Sequence, residues 1–292
     1  MYPFIEAEKA GQGNVARTCT VLEVSRAAYY QWAGGESSTR RQEDRELSRL
    51  IEEAHRESRE TYGAPRVQAE LRRRGRNCGR KRVARLMRER GLVGRCPRRW
   101  KQTTVPDPSV DVLQEDLLGR RFRPGEINAV WAGDITYVRT WEGWLYLASV
   151  IDLGSRRVVG WAMADHMRAE LVCDALRMAL LSRRPPAGLI FHSDRGSQYT
   201  SSEFRGLLAE HRVRQSLSRP RQCWDNAVAE SFFATLKTEL IDRQSWPTRT
   251  AAQRAIFEFV EVFYNRQRLH TALGCRTPTE YESREVVGSQ AA

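Results

Sequence analysis

Three acidic residues in the second half of the chain have the surroundings to do chemistry together. Asp134 lies in Val-Trp-Ala-Gly-Asp-Ile-Thr-Tyr-Val (130–138). Asp194 lies in Ile-Phe-His-Ser-Asp-Arg-Gly-Ser-Gln-Tyr (190–199). Glu230 lies in Trp-Asp-Asn-Ala-Val-Ala-Glu-Ser-Phe-Phe (224–233), with 35 residues between it and Asp194. Carboxylates gathered at one place repel one another unless cations sit between them, and hard oxygen donors with open positions suit Mg2+ or Mn2+. Such a centre can activate a hydroxyl and polarise a phosphodiester.

The segments that must position these acids can be read from their patterns. Residues 129–138, 144–151 and 156–163 read as three strands joined by short turns, an antiparallel meander. An amphipathic helix at 169–182 precedes a short buried strand at 189–193. A helix at 202–211, a strand at 213–217 and helices at 226–240 and 250–264 complete the order βββαβαβαα. This is an α/β arrangement: a mixed five-stranded sheet flanked by helices, matching the ribonuclease H-like fold. Asp134 then lies within the first strand and Asp194 just after the fourth, where ligand sites gather in α/β sheets. At about 100° per residue, Asn226, Glu230, Phe233 and Lys237 share one side of a helix. Val228, Ala229, Phe232, Leu236 and Leu240 occupy the opposite side, expected to face the core. Glu230 would then serve as a metal ligand, with Lys237 holding nearby phosphate.

Other residues have weaker claims. Asp152 closes the second strand and reads as a turn residue rather than a fourth ligand. His192 either reaches the site or is a core histidine. Gly196 and Ser197 permit a tight loop after Asp194. Tyr264, Asn265, Arg268 and His270 form a polar cluster that either binds DNA or braces the end of the last helix.

The charge is unevenly distributed. The 292 residues carry a formal charge of +12, yet residues 66–101 hold fifteen Lys or Arg against only Glu70 and Glu89. The rest of the chain is close to neutral, so this one region should touch phosphate. It follows a helix at 41–57 and a Tyr-Gly-Ala-Pro turn, with Pro65 placed to open the next helix. A further helix at 80–90 turns Val83, Leu86 and Met87 inward and presents Arg80, Lys81, Arg82, Arg85, Arg88 and Arg90 outward. Two short helices joined by a Gly turn, the second lined with arginine, read as an all-α helix-turn-helix region. Residues 14–32 read as two shorter helices. The expected domains are a helical segment at 1–38, a basic helix-turn-helix domain at 39–94, a Pro/Arg-rich linker at 95–125, a core at 126–285 and a disordered tail at 286–292. In the linker, Arg98-Arg99-Trp100-Lys101 has the composition to track a nucleic-acid backbone. The six cysteines show no metal-ligand spacing and read as free thiols in a reducing cytosol. Neither a membrane span nor a secretory leader is expected.

The quoted strings resemble the transposases of bacterial insertion sequences of the IS-three family. Gly-Asp-Ile-Thr-Tyr, His-Ser-Asp-Arg-Gly-Ser-Gln-Tyr and Asp-Asn-Ala-x-x-Glu-Ser-Phe-Phe-x-x-Leu-Lys match that family's pattern. So do the 35-residue spacer, Lys237 and the Tyr264-Asn265-x-x-Arg268-x-His270 ending. Tyr62-Gly63-x-Pro65-Arg66 matches the helix-turn-helix preceding the core.

The resemblance implies an integrase-type catalytic core with Asp134, Asp194 and Glu230 as metal ligands for two Mg2+ ions, Mn2+ substituting. It implies DNA cleavage followed by strand transfer on double-stranded DNA, with Asn226, Lys237, Arg80, Lys81, Arg82, Arg85, Arg268 and His270 as DNA-binding candidates. It also implies a homo-oligomer on DNA, a cytoplasmic, nucleoid-associated location, and an upstream-frame helix-turn-helix and leucine-zipper partner or fusion. The chain itself has no heptad run of zipper length. Two alternatives use the same residues differently. One is a ribonuclease H-like nuclease that never joins ends; the other is an inactive DNA-binding remnant. A retroviral-type integrase fits less well, because no amino-terminal His-His-Cys-Cys pattern is present.

Overall fold

The computed structural model describes residues 1–34, 39–96, 126–218 and 227–290, the last six by backbone alone. Residues 97–125 (most of the expected linker), Cys223 and Asn226 lie outside the described residues. The chain divides into two units, Met1–Val93 and Gly94–Ala292.

In the first unit, α1 (Tyr2–Ala10), α2 (Val15–Val21) and α3 (Arg26–Ala33) bury Ile5, Cys19 and Tyr29 together. The Tyr29 hydroxyl also donates to Glu6 Oε2 at 2.5 Å. The reading of 14–32 anticipates α2 and α3 but not α1, which has one fully buried apolar side chain and therefore little periodicity to see. Next come α4 (Thr39–Glu57), α5 (Ala64–Arg73) and α6 (Arg80–Glu89). Ile51, Val67, Leu71, Val83 and Leu86 are buried in this part. Gly75, at φ 78°, adopts the left-handed turn that ends α5.

The second unit is built on a five-stranded sheet. Its strands are β1 (Val130–Thr140), β2 (Gly143–Asp152), β3 (Val158–Ala164), β4 (Ile190–Ser193) and β5 (Arg214–Leu217), in the order β3-β2-β1-β4-β5. β1 pairs antiparallel with β2 and parallel with β4, so the sheet is mixed. Helices α7 (Ala169–Arg183) and α8 (Ser202–Glu210) cover one face, packing Leu176 and Phe204 with Trp131, Val150, Val159 and Phe191. Gly160 lets α7 approach closely: a Cβ there would lie 2.2 Å from the Ala175 carbonyl oxygen. Helices α9 (Ala227–Glu239) and α10 (Arg249–Glu258) also pack on β1 and β2. Trp161 of β3 meets α10 through Phe257 and the turn after it through Glu261.

Two departures from the sequence reading stand out. The last long helix is α-helical only to Glu258 and continues as a π-helical turn, Phe259–Tyr264. That turn ends at Asn265, whose side-chain amide donates to the Val158 carbonyl and accepts from its N–H, both at 3.0 Å. Asn265 thus acts as a strand partner at the outer edge of β3. The second departure is α11 (Pro278–Gln290), which includes residues assigned above to a disordered tail. Its start is a reciprocal capping box: Thr277 N–H donates to Glu280 Oε2 at 3.0 Å, and Glu280 N–H to Thr277 Oγ1 at 3.2 Å.

Candidate functional site

Strand register brings the first two acids to one level. β1 and β4 run parallel with Ala132 opposite His192, so Asp134 and Asp194 each lie two residues past that pair, at the same end. The approach is tight. A Cβ on Gly133 would sit 2.4 Å from the Phe191 ring and 3.3 Å from that of Tyr199. Asp134 is partly buried beside these aromatics, while Asp194 and Glu230 are exposed. Asp194 folds back on its own loop, its Oδ1 accepting from Gly196 N–H at 2.9 Å, a local turn that aims the carboxylate. Glu230 enters from the first turn of α9.

The electrostatics tie these elements together. Loss of hydration pushes the Asp134 carboxyl up to about 7. The Ile135 N–H at 2.8 Å works against this; repulsion from Asp194 and Glu230 adds to it, and the Lys237 ammonium opposes it. Glu230 is likewise raised by loss of hydration. Tyr199, fully enclosed, is raised well above the ordinary phenol by burial, then by Asp134 and Asp194. Thus Asp134 of β1, Asp194 after β4, and Glu230 and Lys237 of α9 act on one another from three segments of the chain. Among the described residues, no three His, Cys, Asp or Glu side chains are grouped closely enough to hold an ion. The donor set nonetheless suits a hard divalent cation, which would relieve the crowding of like charge at Asp134.

The helix phase holds in part. Ala229, Phe232 and Leu236 are buried as expected, but so is Phe233, which the sequence places beside Glu230; the buried face of α9 is wider than a single stripe. Lys237 lies over the Tyr137 ring at 5.3 Å. Tyr137 and Tyr199 are neighbours of the site that sequence reasoning passed over, although both stand within the quoted motifs. Asn226 lies outside the described residues.

The remaining polar residues have structural partners. Asp152 is buried and accepts from the N–H groups of Asn128 (2.5 Å) and Ser155 (2.7 Å) and from Trp131 Nε1 (3.2 Å), so it holds a turn. His192 is a core histidine, its ring nitrogens 2.9 Å and 3.1 Å from the hydroxyls of Ser216 and Ser218. Arg268 and His270, expected among the DNA-binding residues, are buried instead. Arg268 donates to both oxygens of buried Glu239 at 2.8 Å and 2.7 Å. His270 packs edge-on to Tyr264. Arg268 braces the chain after the π-helical turn, because a guanidinium enclosed there requires a carboxylate partner.

In the first unit, α4 supplies acids that the local charge count of 66–101 could not reveal. Arg82 donates to Asp44 at 2.7 Å and Glu43 at 3.1 Å; Arg85 donates to Asp44 at 2.5 Å and Glu89 at 2.7 Å. Arg74, Arg76 and Arg90 pair with Glu57, Glu46 and Glu52. Arg82 and Arg85 are half-buried as a result, whereas Arg80, Lys81 and Arg88 remain exposed.

A mixed sheet with acids at one level of two adjacent parallel strands and a third on a following helix fits an integrase-type core of ribonuclease H-like fold. Comparison with known families agrees: an integrase core domain matches residues 125–223, a second integrase core description matches 211–278, and an HTH-like domain matches 41–100. The chain is 44% identical over 266 residues to an insertion element IS600 uncharacterized 31 kDa protein of Shigella sonnei, covering 91% of this chain and 97% of that one. It is 40% identical over 287 residues to the transposase InsF for insertion sequence IS3A of Escherichia coli, covering 98% and 99%. The HTLV-2 integrase catalytic core domain in complex with magnesium aligns at 18% identity and a TM-score of 0.41, over 55% of this chain and 99% of that one. The chain belongs to the IS-three family of insertion-sequence transposases.

Proposed function

We propose that this transposase performs metal-dependent DNA strand cleavage followed by strand transfer, with Asp134, Asp194 and Glu230 as its metal ligands. The observation that carries the reading is the β1–β4 register, which sets Asp134 and Asp194 at one level, with Glu230 entering from the first turn of α9. Two divalent ions, Mg2+ or Mn2+, would supply Lewis-acid polarisation of the phosphodiester and activation of the attacking hydroxyl. The protein's own groups position and exclude. The β1–β4 register fixes two carboxylates, Tyr199 and Phe191 keep water from one side of Asp134, and Lys237 offers a cation to a neighbouring phosphate.

The HTH-like region supplies duplex affinity in this reading. Arg80 and Lys81 would contact phosphates directly, while Arg82 and Arg85 would need to exchange Asp44 for the strand. Residues 39–94 would form the DNA-binding domain and 126–285 the catalytic one. Assembly as a multimer on DNA with the upstream-frame product follows from the family resemblance. The test is Mg2+-dependent cleavage and joining on element-end DNA, with the upstream-frame fusion supplied. Loss of both steps in Asp194→Asn is the expected result, and full activity in that variant overturns the assignment.

A further inference from the structure

The tip of the β1–β2 hairpin carries aromatic side chains that no core claims. Trp141 is 76% exposed, Tyr137 55% and Trp144 45%. The backbone beneath them is firmly held. Thr140 Oγ1 donates to the Gly143 carbonyl at 2.7 Å, Trp141 N–H to the Trp246 carbonyl at 3.0 Å, and Arg249 Nε to the Trp144 carbonyl at 3.1 Å. Tyr137 and Trp144 pack edge to face, with centroids 5.1 Å apart. Fixed backbone with wet rings is a poor arrangement for stability alone, since exposed aromatic surface forgoes the gain of burial. Together with Arg139, Lys237 and Asp242, these rings line a groove of about 560 Å³.

We propose that this groove receives one unpaired nucleobase from the DNA strand whose phosphate lies at Asp134, Asp194 and Glu230, an inference that rests on the function proposed above. The volume is that of a small-ligand pocket, which ranges over roughly 300–1,000 Å³. Aromatic faces beside cations are the chemistry that holds single-stranded nucleic acid, because every base has a π face and every link a phosphate. Lys237 makes the groove continuous with the acids: its ammonium lies over the Tyr137 ring and also acts on Asp134. Arg139 is a second cation for the backbone, and Asp242 can accept from a base N–H. A base still paired within a duplex has its faces covered by its neighbours, so the occupant must be unstacked.

The test uses the full chain with Ca2+ in place of Mg2+, an oxygen-seeking cation that can occupy the acids, under conditions where no cleavage product appears. Two duplexes are compared, each with a short single-stranded extension, one bearing bases and the other abasic. A second pair carries a 2-aminopurine in the extension to report stacking. The wild-type chain should bind the base-bearing extension about tenfold more tightly, since stacking contributes about 1–3 kcal/mol per base, and should quench the analogue. Replacing both tryptophans (Trp141→Leu with Trp144→Leu) should remove the preference and the quench, and Phe at both positions should restore them. Equal binding of the two extensions by the wild-type chain overturns the proposal without any variant. Retention of preference and quench by the Leu pair, with unchanged circular dichroism and melting, also overturns it. Cleavage by Asp194→Asn is decided separately: its loss beside an indifferent groove leaves the proposed function standing and removes only the base site.

Discussion

Helix α9 carries two glutamates whose surroundings are opposite. Glu239 is buried, and the Arg268 guanidinium bonds both its oxygens. Glu230 faces outward among acids, where Asp134 responds to it as a like charge. The first is neutralised within the protein and serves the fold. The second adds to a charge excess that the fold tolerates, and the metal site proposed above would relieve it. The same contrast divides the basic residues of α6. Arg82 and Arg85 are answered by Asp44 of α4, while Arg80 and Lys81 are left to solvent.

The contrast can be broken by exchanging the predicted consequences. Asp194→Asn should lower strand-cleavage rate by about 10²–10³-fold or more. Because Asp194 is exposed, its unfolding free energy should move by less than about 0.5 kcal/mol. A melt paired with a cleavage time course checks both, and a large loss of stability would move Asp194 to the structural class. Glu239→Gln should do the reverse. Leaving Arg268 buried beside a neutral partner costs about 3–5 kcal/mol. At roughly 2–4 °C per kcal/mol, the melting temperature should fall on the order of 10 °C. An unchanged melt would mean that the pair is not what braces the chain.

A milder case sharpens the structural side. Glu282 accepts from Arg157 at 2.6 Å and from Arg183 at 2.9 Å and 2.8 Å. Burial alone would raise its carboxyl, but these two arginines hold it below the ordinary glutamate range. A depressed folded value means that this contribution is present above the unfolded glutamate pKa near 4.5 and is lost as pH falls through the folded value. Glu282→Gln should therefore remove about 2 kcal/mol near neutrality and flatten the acid limb of the unfolding curve. Parallel acid limbs for the two proteins would show that Glu282 is not the titrating group. The smallest effect concerns DNA. Arg80→Gln and Lys81→Gln should each reduce the salt slope of binding by about 0.9, whereas Arg82→Gln should leave it unchanged. Equal slopes across all three variants would dissolve the distinction between answered and unanswered cations.

Much of the core was legible because alternation and helical spacing report which side of an element is buried. The meander, the strand bearing Asp134 and the loop after His192 follow from that, as does the turn role of Asp152. Spacing does not reveal who stands opposite. The pairing of Arg268 with Glu239 and of Arg85 with Asp44 joins residues far apart in sequence. The arginine-rich stretch therefore looked more available to phosphate than α4 allows. Phe233 misled because a helix wedged against a sheet and neighbouring helices buries more than one stripe. The extra helix after Pro278 is marked in sequence by the capping-box string Thr277-Pro278-Thr279-Glu280, whereas the π-helical turn left no sequence mark.

Gly133 has no side chain and takes no part in any reaction, yet it governs how far Asp134 can drift from its partner. A methyl group in its place would press on the Phe191 ring from 2.4 Å and push β4 outward. Because β4 leads directly into Asp194, such a push would widen the gap between two acids while leaving both chemically intact. An alanine at position 133 would therefore be expected to yield a folded but slow protein, an allele whose defect lies in spacing alone.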